Sequence, residues 1–174
     1  MDLLEKHMKV KSDTKENFKD NLTQKVGVLA RREIEARILI PFLEELYKKF
    51  GKTKILKVLE QTIKDIAKNQ GKNLSNEYGN NVDAFLQTLE YWMQDDALEI
   101  DIIKKSESRL YFNVIRCKYA EMYNDLGISD LGTVLSCNRD ASLIKGFNSK
   151  ATLDRKETIM NGDKCCTFRY KFGS

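Results

Sequence analysis

Residues 150–172 read KATLDRKETIMNGDKCCTFRYKF, and their rhythm decides the fold. Asn161-Gly162 predicts a two-residue hairpin turn, because both central positions of the favoured turn take positive φ. Such a loop sets Met160 against Asp163 and fixes every other pair. Leu153 then faces Tyr170, Arg155 faces Phe168, and Glu157 faces Cys166. Side chains alternate across a strand, so these six share one face. Phe168, Tyr170 and Phe172 make it the apolar face. Thr152, Asp154, Lys156, Thr158, Cys165, Thr167, Arg169 and Lys171 fall on the wet face.

Moving toward the N-terminus, period 2 recurs. Leu98, Ile100 and Ile102 alternate with Glu99 and Asp101, a KKSES turn follows, and Leu110, Phe112 and Val114 alternate again, which predicts a second hairpin. Between the hairpins lie two short helices. One runs from about Lys118 to Leu126 and ends at Gly127. The other runs from about Leu131 to Ile144, capped by Ser129 or Asp130.

Before Leu98 the period is helical. Val26, Ala30, Ile34, Ile38, Phe42, Leu46 and Phe50 recur every four residues, with Leu39 and Leu43 widening the stripe. It predicts a helix over about 22–50 packed on the sheet. Pro41, the only proline, is expected to kink or split it near Arg37 to Ile40. A second helix carries Leu56, Leu59, Ile63, Ile66 and Ala67 and ends near Gly71, with GKNLSNEYGN as a loop. A third spans about Val82 to Gln94, with Phe85 and Trp92 as core.

The fold class is α+β: N-terminal helices packed on a small antiparallel β-sheet made of two hairpins with two short helices between them. Residues 1–20 read as a flexible or weakly helical tail. Residues 21–174 read as one domain, helical over about 21–97 and sheet-bearing over about 98–174.

Charged residues are 32% of the chain with a net charge of +4, but the signs are mixed along the helices. No basic stripe interleaved with aromatics appears, so nucleic acid is not an expected partner. The polar first residues lack the apolar core of a signal peptide, and no run approaches the ~18 apolar residues of a membrane span. The expectation is a cytoplasmic protein whose four cysteines are reduced thiols.

Those cysteines frame the candidate site. Burying Arg155 and Glu157 on an apolar face costs several kcal/mol unless they are paired, about the penalty seen for isolated charges. They form either a structural ion pair or a wet pocket, with Cys166 beside Glu157 and the rings of Phe168 and Tyr170 available to a ligand. Cys137 and Asp140, three apart, share a helix face. Cys117 stands where a strand meets a helix, a place that favours thiolate. The one histidine, His7, lies in the expected tail, which argues against a histidine-dependent catalytic unit. Proton transfer would fall to Asp140, Glu157, a lysine or a metal-bound water.

Cys117-x-Tyr119, Leu126-Gly127, Leu135-x-Cys137-x-x-Asp140, Gly146-Phe147, Arg155, Thr158, Gly162 and Cys166-x-Phe168-x-Tyr170 together resemble the L-2-amino-thiazoline-4-carboxylic acid hydrolase family. Arg31, Glu35 and Pro41 fit its helical front end. The resemblance implies hydrolysis of a small cyclic amidine-type thioether. Cys117, Cys137 or Cys166 would serve as nucleophile or metal ligand, Asp140 or Glu157 would move the proton, and Arg155 would hold the substrate carboxylate. A more distant likeness to 4-vinyl-reductase-type small-molecule-binding domains implies an alternative, a non-catalytic sensor or carrier. Zinc is the cofactor such a domain would hold, here through Cys117 or Cys137, Asp140 and Cys166. A further alternative makes the first helix a dimer surface.

Overall fold

The computed structural model describes residues 25–173, so the expected tail lies outside the described residues. Helix α1 (Val28–Phe50) runs unbroken through Pro41. Pro41 is exposed, so the Arg37 carbonyl that loses its partner is on the watered side, and no split results. The four-residue stripe does not face the sheet. Ile34 is 54%, Ile38 67% and Phe42 59% exposed, whereas Arg32, Ala36 and Leu43 are buried. Each four-residue step overshoots a 3.6-residue turn by about 40°, so a strict i+4 ladder spirals off any single face.

Helix α2 (Lys52–Tyr78) continues past Gly71, through the residues expected to form a loop. Gly71 is a packing glycine. A Cβ there would stand 2.0 Å from the carbonyl oxygen of Leu143 on α6 (Arg139–Phe147), and one on Gly146 would stand 1.9 Å from that of Lys68. The two backbones touch where both side chains are missing. Helix α3 (Val82–Met93) starts as expected, its N-cap Asn81 accepting the Ala84 amide at 2.9 Å.

Strands β1 (Leu98–Ser106) and β2 (Arg109–Cys117) form the first hairpin. After α4 (Lys118–Asp125), Gly127 turns the chain at φ 70°. The next expected helix is divided: α5 (Ser129–Gly132), a π-helical turn over Thr133–Cys137, then α6. Strands β3 (Thr152–Asp154) and β4 (Cys166–Lys171) complete an antiparallel sheet ordered β1-β2-β4-β3. Leu153 faces Tyr170 and Asp154 faces Arg169, the register set by the Asn-Gly reading.

The ladder nevertheless stops at Asp154. Ile159–Asn161 make a 3-10 turn, Gly162 takes φ 93°, and Asp163 clasps the bend. Its carboxylate accepts the Thr158 amide at 2.8 Å and its own amide donates to the Thr158 carbonyl at 3.2 Å. The connection is therefore wider than a two-residue turn.

Two apolar clusters result. The larger joins the inner sheet face (Leu110, Phe112, Val114, Phe168, Tyr170) to α3 and α6 around Phe85, whose ring meets Tyr170 at 4.8 Å and Phe147 at 5.1 Å. The smaller gathers Ala36, Ile63, Ala120, Tyr123, Leu135 and Met160. Cys117 and Ile159 pack against both. Among the described residues no helix is long and apolar enough to cross a membrane.

Candidate functional site

The seam between the two clusters is where the chemistry-bearing side chains collect. Cys117 ends β2 and precedes α4. Cys137 closes the π-helical turn, an element that recurs at functional sites because it offsets the helix register by one residue. Asp140 lies in the first turn of α6. Arg155 follows β3, and Cys166 opens β4 with Phe168 and Tyr170 on the same inner face.

Arg155 and Asp140 form an ion pair, their side chains only 13% and 17% exposed. A second Arg155 nitrogen donates to the Cys137 carbonyl at 2.9 Å, and the guanidinium lies over the Phe168 ring, 5.0 Å from its centroid. The fork thus locks the π-helical turn, α6 and β4 together. Burial pushes the Asp140 carboxyl above the ordinary carboxylate value, and Arg155, Arg139 and Arg32 oppose that shift. The Tyr170 hydroxyl is fully buried, has no hydrogen-bond partner, and is electrostatically coupled to Asp140 and Arg155. An orphaned buried hydroxyl costs about 1–3 kcal/mol, a cost that Tyr170 shares with the buried hydroxyls of Tyr47 and Thr158.

Burial favours the protonated thiol at Cys117, Cys137 and Cys166. Burial pushes Cys117 up to about 11, against the Ala120 and Tyr119 amides that favour its thiolate. The strand–helix junction does act as expected, but desolvation outweighs it. Burial and the nearby Asp140 push Cys137 up to about 12. Cys166, also raised by burial, accepts the Ile159 amide at 3.2 Å. All four cysteines are free.

Glu157 does not join them. The end of the ladder at Asp154 breaks the alternation, and its exposed side chain lies beside Lys156, Thr167 and Arg169 at an open depression of about 460 Å³ on the outer sheet face. Its expected place opposite Cys166 on the inner face is corrected accordingly. Zinc does not fit the donors either. Among the described residues no three His, Cys, Asp or Glu side chains converge to hold a metal ion. The Arg155 guanidinium already occupies the cation position at Asp140.

Sequence reasoning missed a second group of charges. Arg32 and Arg139 are each 6% exposed. Arg32 pairs with Glu35, which also pairs with Arg31 at 3.0 Å. Arg139 donates to the Gln70 amide oxygen at 2.6 Å. The overlooked signal was phase: Arg32 stands four residues before buried Ala36, on the inward stripe of α1.

The sequence profile of the L-2-amino-thiazoline-4-carboxylic acid hydrolase family matches residues 31–170. No curated protein gives a significant match. Among solved structures, the chain is similar to the crystal structure of a trafficking protein particle complex subunit 3 from Naegleria fowleri covalently bound to palmitic acid. Identity is 11%, the TM-score 0.49, and the match covers 83% of this chain and 96% of that one.

Proposed function

Because the chain belongs to the L-2-amino-thiazoline-4-carboxylic acid hydrolase family, and so is hydrolase-like toward a small substrate, we propose that it opens a cyclic amidine of the thiazoline type by adding water. Water attacks the ring carbon between sulfur and nitrogen. Collapse of the tetrahedral adduct breaks the carbon–sulfur bond. One water proton ends on the ring nitrogen and the other on the departing sulfur, leaving an N-carbamoyl group and a free thiol.

The observation that carries this is the buried Asp140–Arg155 pair with the unpartnered Tyr170 hydroxyl in its field. Asp140 takes the proton from water and returns it to sulfur. Its burial raises its basicity toward the working pH, which favours general base catalysis. Arg155 keeps the carboxylate aimed. Tyr170 donates to the adduct oxygen, and Phe168 walls the ring. With Cys117 near 11, roughly one part in ten thousand is thiolate at neutral pH, so Asp140 outranks a cysteine as the acting group. Free thiols accord with a reducing, cytoplasmic setting.

The test follows thiol release from 2-amino-thiazoline-4-carboxylate. Asp140→Asn should lower turnover by about 10²–10⁴-fold, the usual weight of a general base. Cys117→Ser, Cys137→Ser and Cys166→Ser should each keep at least about a tenth of it, because no covalent step requires them. Absence of thiol release from the wild type, with or without added zinc, ends the proposal.

A further inference from the structure

On the outer sheet face the ladder sets Tyr111, Arg169 and Asp154 side by side on β2, β4 and β3. Strand parity keeps Thr167 on the same face, and its hydroxyl accepts the Lys156 and Glu157 amides, each at 3.3 Å. Asp154, Lys156, Glu157, Thr167 and Arg169 thereby line the depression of about 460 Å³. Two acids and two bases meet in one concavity, yet among the described residues none of the four is in an ion pair. Exposed charges elsewhere do find partners: Lys64 holds Glu60 at 2.6 Å, Lys105 holds Asp83 at 2.7 Å and Arg116 holds Glu121 at 2.9 Å. Arg169 is also fixed in place. Its Nη1 donates to the Phe112 and Phe168 carbonyls at 2.8 and 2.9 Å, its Nη2 donates to Asn113 Oδ1 at 2.8 Å, and the guanidinium carbon lies 5.9 Å from the centre of the Tyr111 ring. Those acceptors are neutral, so the positive charge is held without being cancelled. Among the described residues the Nε–H is left for a further acceptor.

We propose that this depression binds a small zwitterion, a molecule of amino-acid to dipeptide size carrying one ammonium and one carboxylate. The carboxylate goes to Arg169 and Lys156, with the Arg169 Nε–H as a charge-assisted donor. The ammonium goes to Asp154 and Glu157. A plain anion would meet Asp154 beside Arg169 and Glu157 beside Lys156, and a plain cation would meet the reverse, so neither gains from the whole set. No ion pair has to break first, so a ligand with both signs displaces only water. The volume, about 460 Å³, falls in the lower part of the range of small-molecule sites, about 300–1,000 Å³. This site is separate from the Asp140–Arg155 pair. Arg155 turns to the inner face, and the two residues after it serve the outer one. It stands whether or not the hydrolase reading does.

Glycylglycine, titrated into the isotope-labelled full chain at neutral pH and followed by amide NMR, tests the site. The amides of residues 154–157, 167 and 169 should shift saturably, with a Kd of about 10 mM or tighter. N-acetylglycylglycine, a lone anion, and glycylglycinamide, a lone cation, should each bind at least about tenfold more weakly, the weight of one charge-assisted contact. Lys156→Gln and Glu157→Gln should weaken glycylglycine to a similar degree. Neither side chain makes a hydrogen bond among the described residues, so both variants should fold and decide the matter even where Arg169→Gln, which should abolish binding, does not. Lys171→Gln, on the same face outside the depression, should change nothing. No saturable shift, equal binding of the three probes, or shifts confined to Asp140 and Tyr170 on the inner face would each overturn the site. Undiminished binding by Lys156→Gln and Glu157→Gln, or an equal loss in Lys171→Gln, would overturn it as well.

Discussion

A fully buried hydroxyl with no partner ties Tyr170 to a specific expectation. Tyr170→Phe should raise stability by about 1–2 kcal/mol, because it removes a desolvated donor without opening a cavity. It should also slow the proposed hydrolysis. Urea titration beside the thiol assay checks both, and a loss of stability would show that the hydroxyl is satisfied in the free protein. Glu35 gives a pH signature. Burial alone would raise its carboxyl, but Arg32 and Arg31 outweigh that and hold it below the ordinary 4.5. Its stabilisation is therefore present above 4.5 and lost as pH falls through the lower folded value. Between pH 6 and pH 3 the wild type should lose more stability than Glu35→Gln, as urea midpoints at each pH would reveal. At this scale the sequence was legible where local rules apply. Tyr170 points inward by strand parity, whereas Cys137 and Asp140, three apart, lie on a π-helical turn and on α6 rather than on one regular helix. Glu157 was misread because parity holds only while the ladder lasts. Arg139 was missed because a charged residue on a short helix ordinarily faces water.

Elements contribute through their glycines and their one proline. Gly71→Ala or Gly146→Ala would drive a methyl group into a carbonyl of the facing helix. Each should cost about 3 kcal/mol or more by overpacking, despite alanine's better helix propensity. Thermal melts of the two variants decide this, and an unchanged melt would mean that the helices can part. Pro41→Ala should act oppositely and stabilise by about 1–3 kcal/mol, restoring one bond at an exposed turn of α1. The identity of these elements was legible, but their ends were less so. A glycine that ends a helix and one that lets two helices touch are the same letter. Only the three-dimensional neighbour distinguishes them.

For the molecule as a whole, Cys117 and Ile159 pack against both apolar clusters, which should therefore melt together. Fluorescence of Trp92, beside the larger cluster, and far-ultraviolet dichroism should give coincident urea transitions. Two separated transitions would show the seam to be weak. The layered plan, helices before a four-stranded antiparallel sheet, was legible from the switch in period at Leu98. How α1 sits was not, since its apolar residues outnumber the places available to bury them. Ile38, 67% exposed, should tolerate glutamine within about 0.5 kcal/mol.

The bare backbone crossing of α2 and α6 also limits how a small molecule gets in. Asp140 and Arg139 ride on a helix clamped to its neighbour with no side chain between them to yield, so that wall is a fixed jamb. The run 155–158 has left the ladder and is held by lighter ties, with the Lys156 and Glu157 amides reaching the Thr167 hydroxyl at 3.3 Å and the Thr158 amide donating to Asp163 at 2.8 Å. Amide protons there should trade with deuterium well before those of α6, and equal rates in the two would mean that the jamb itself swings.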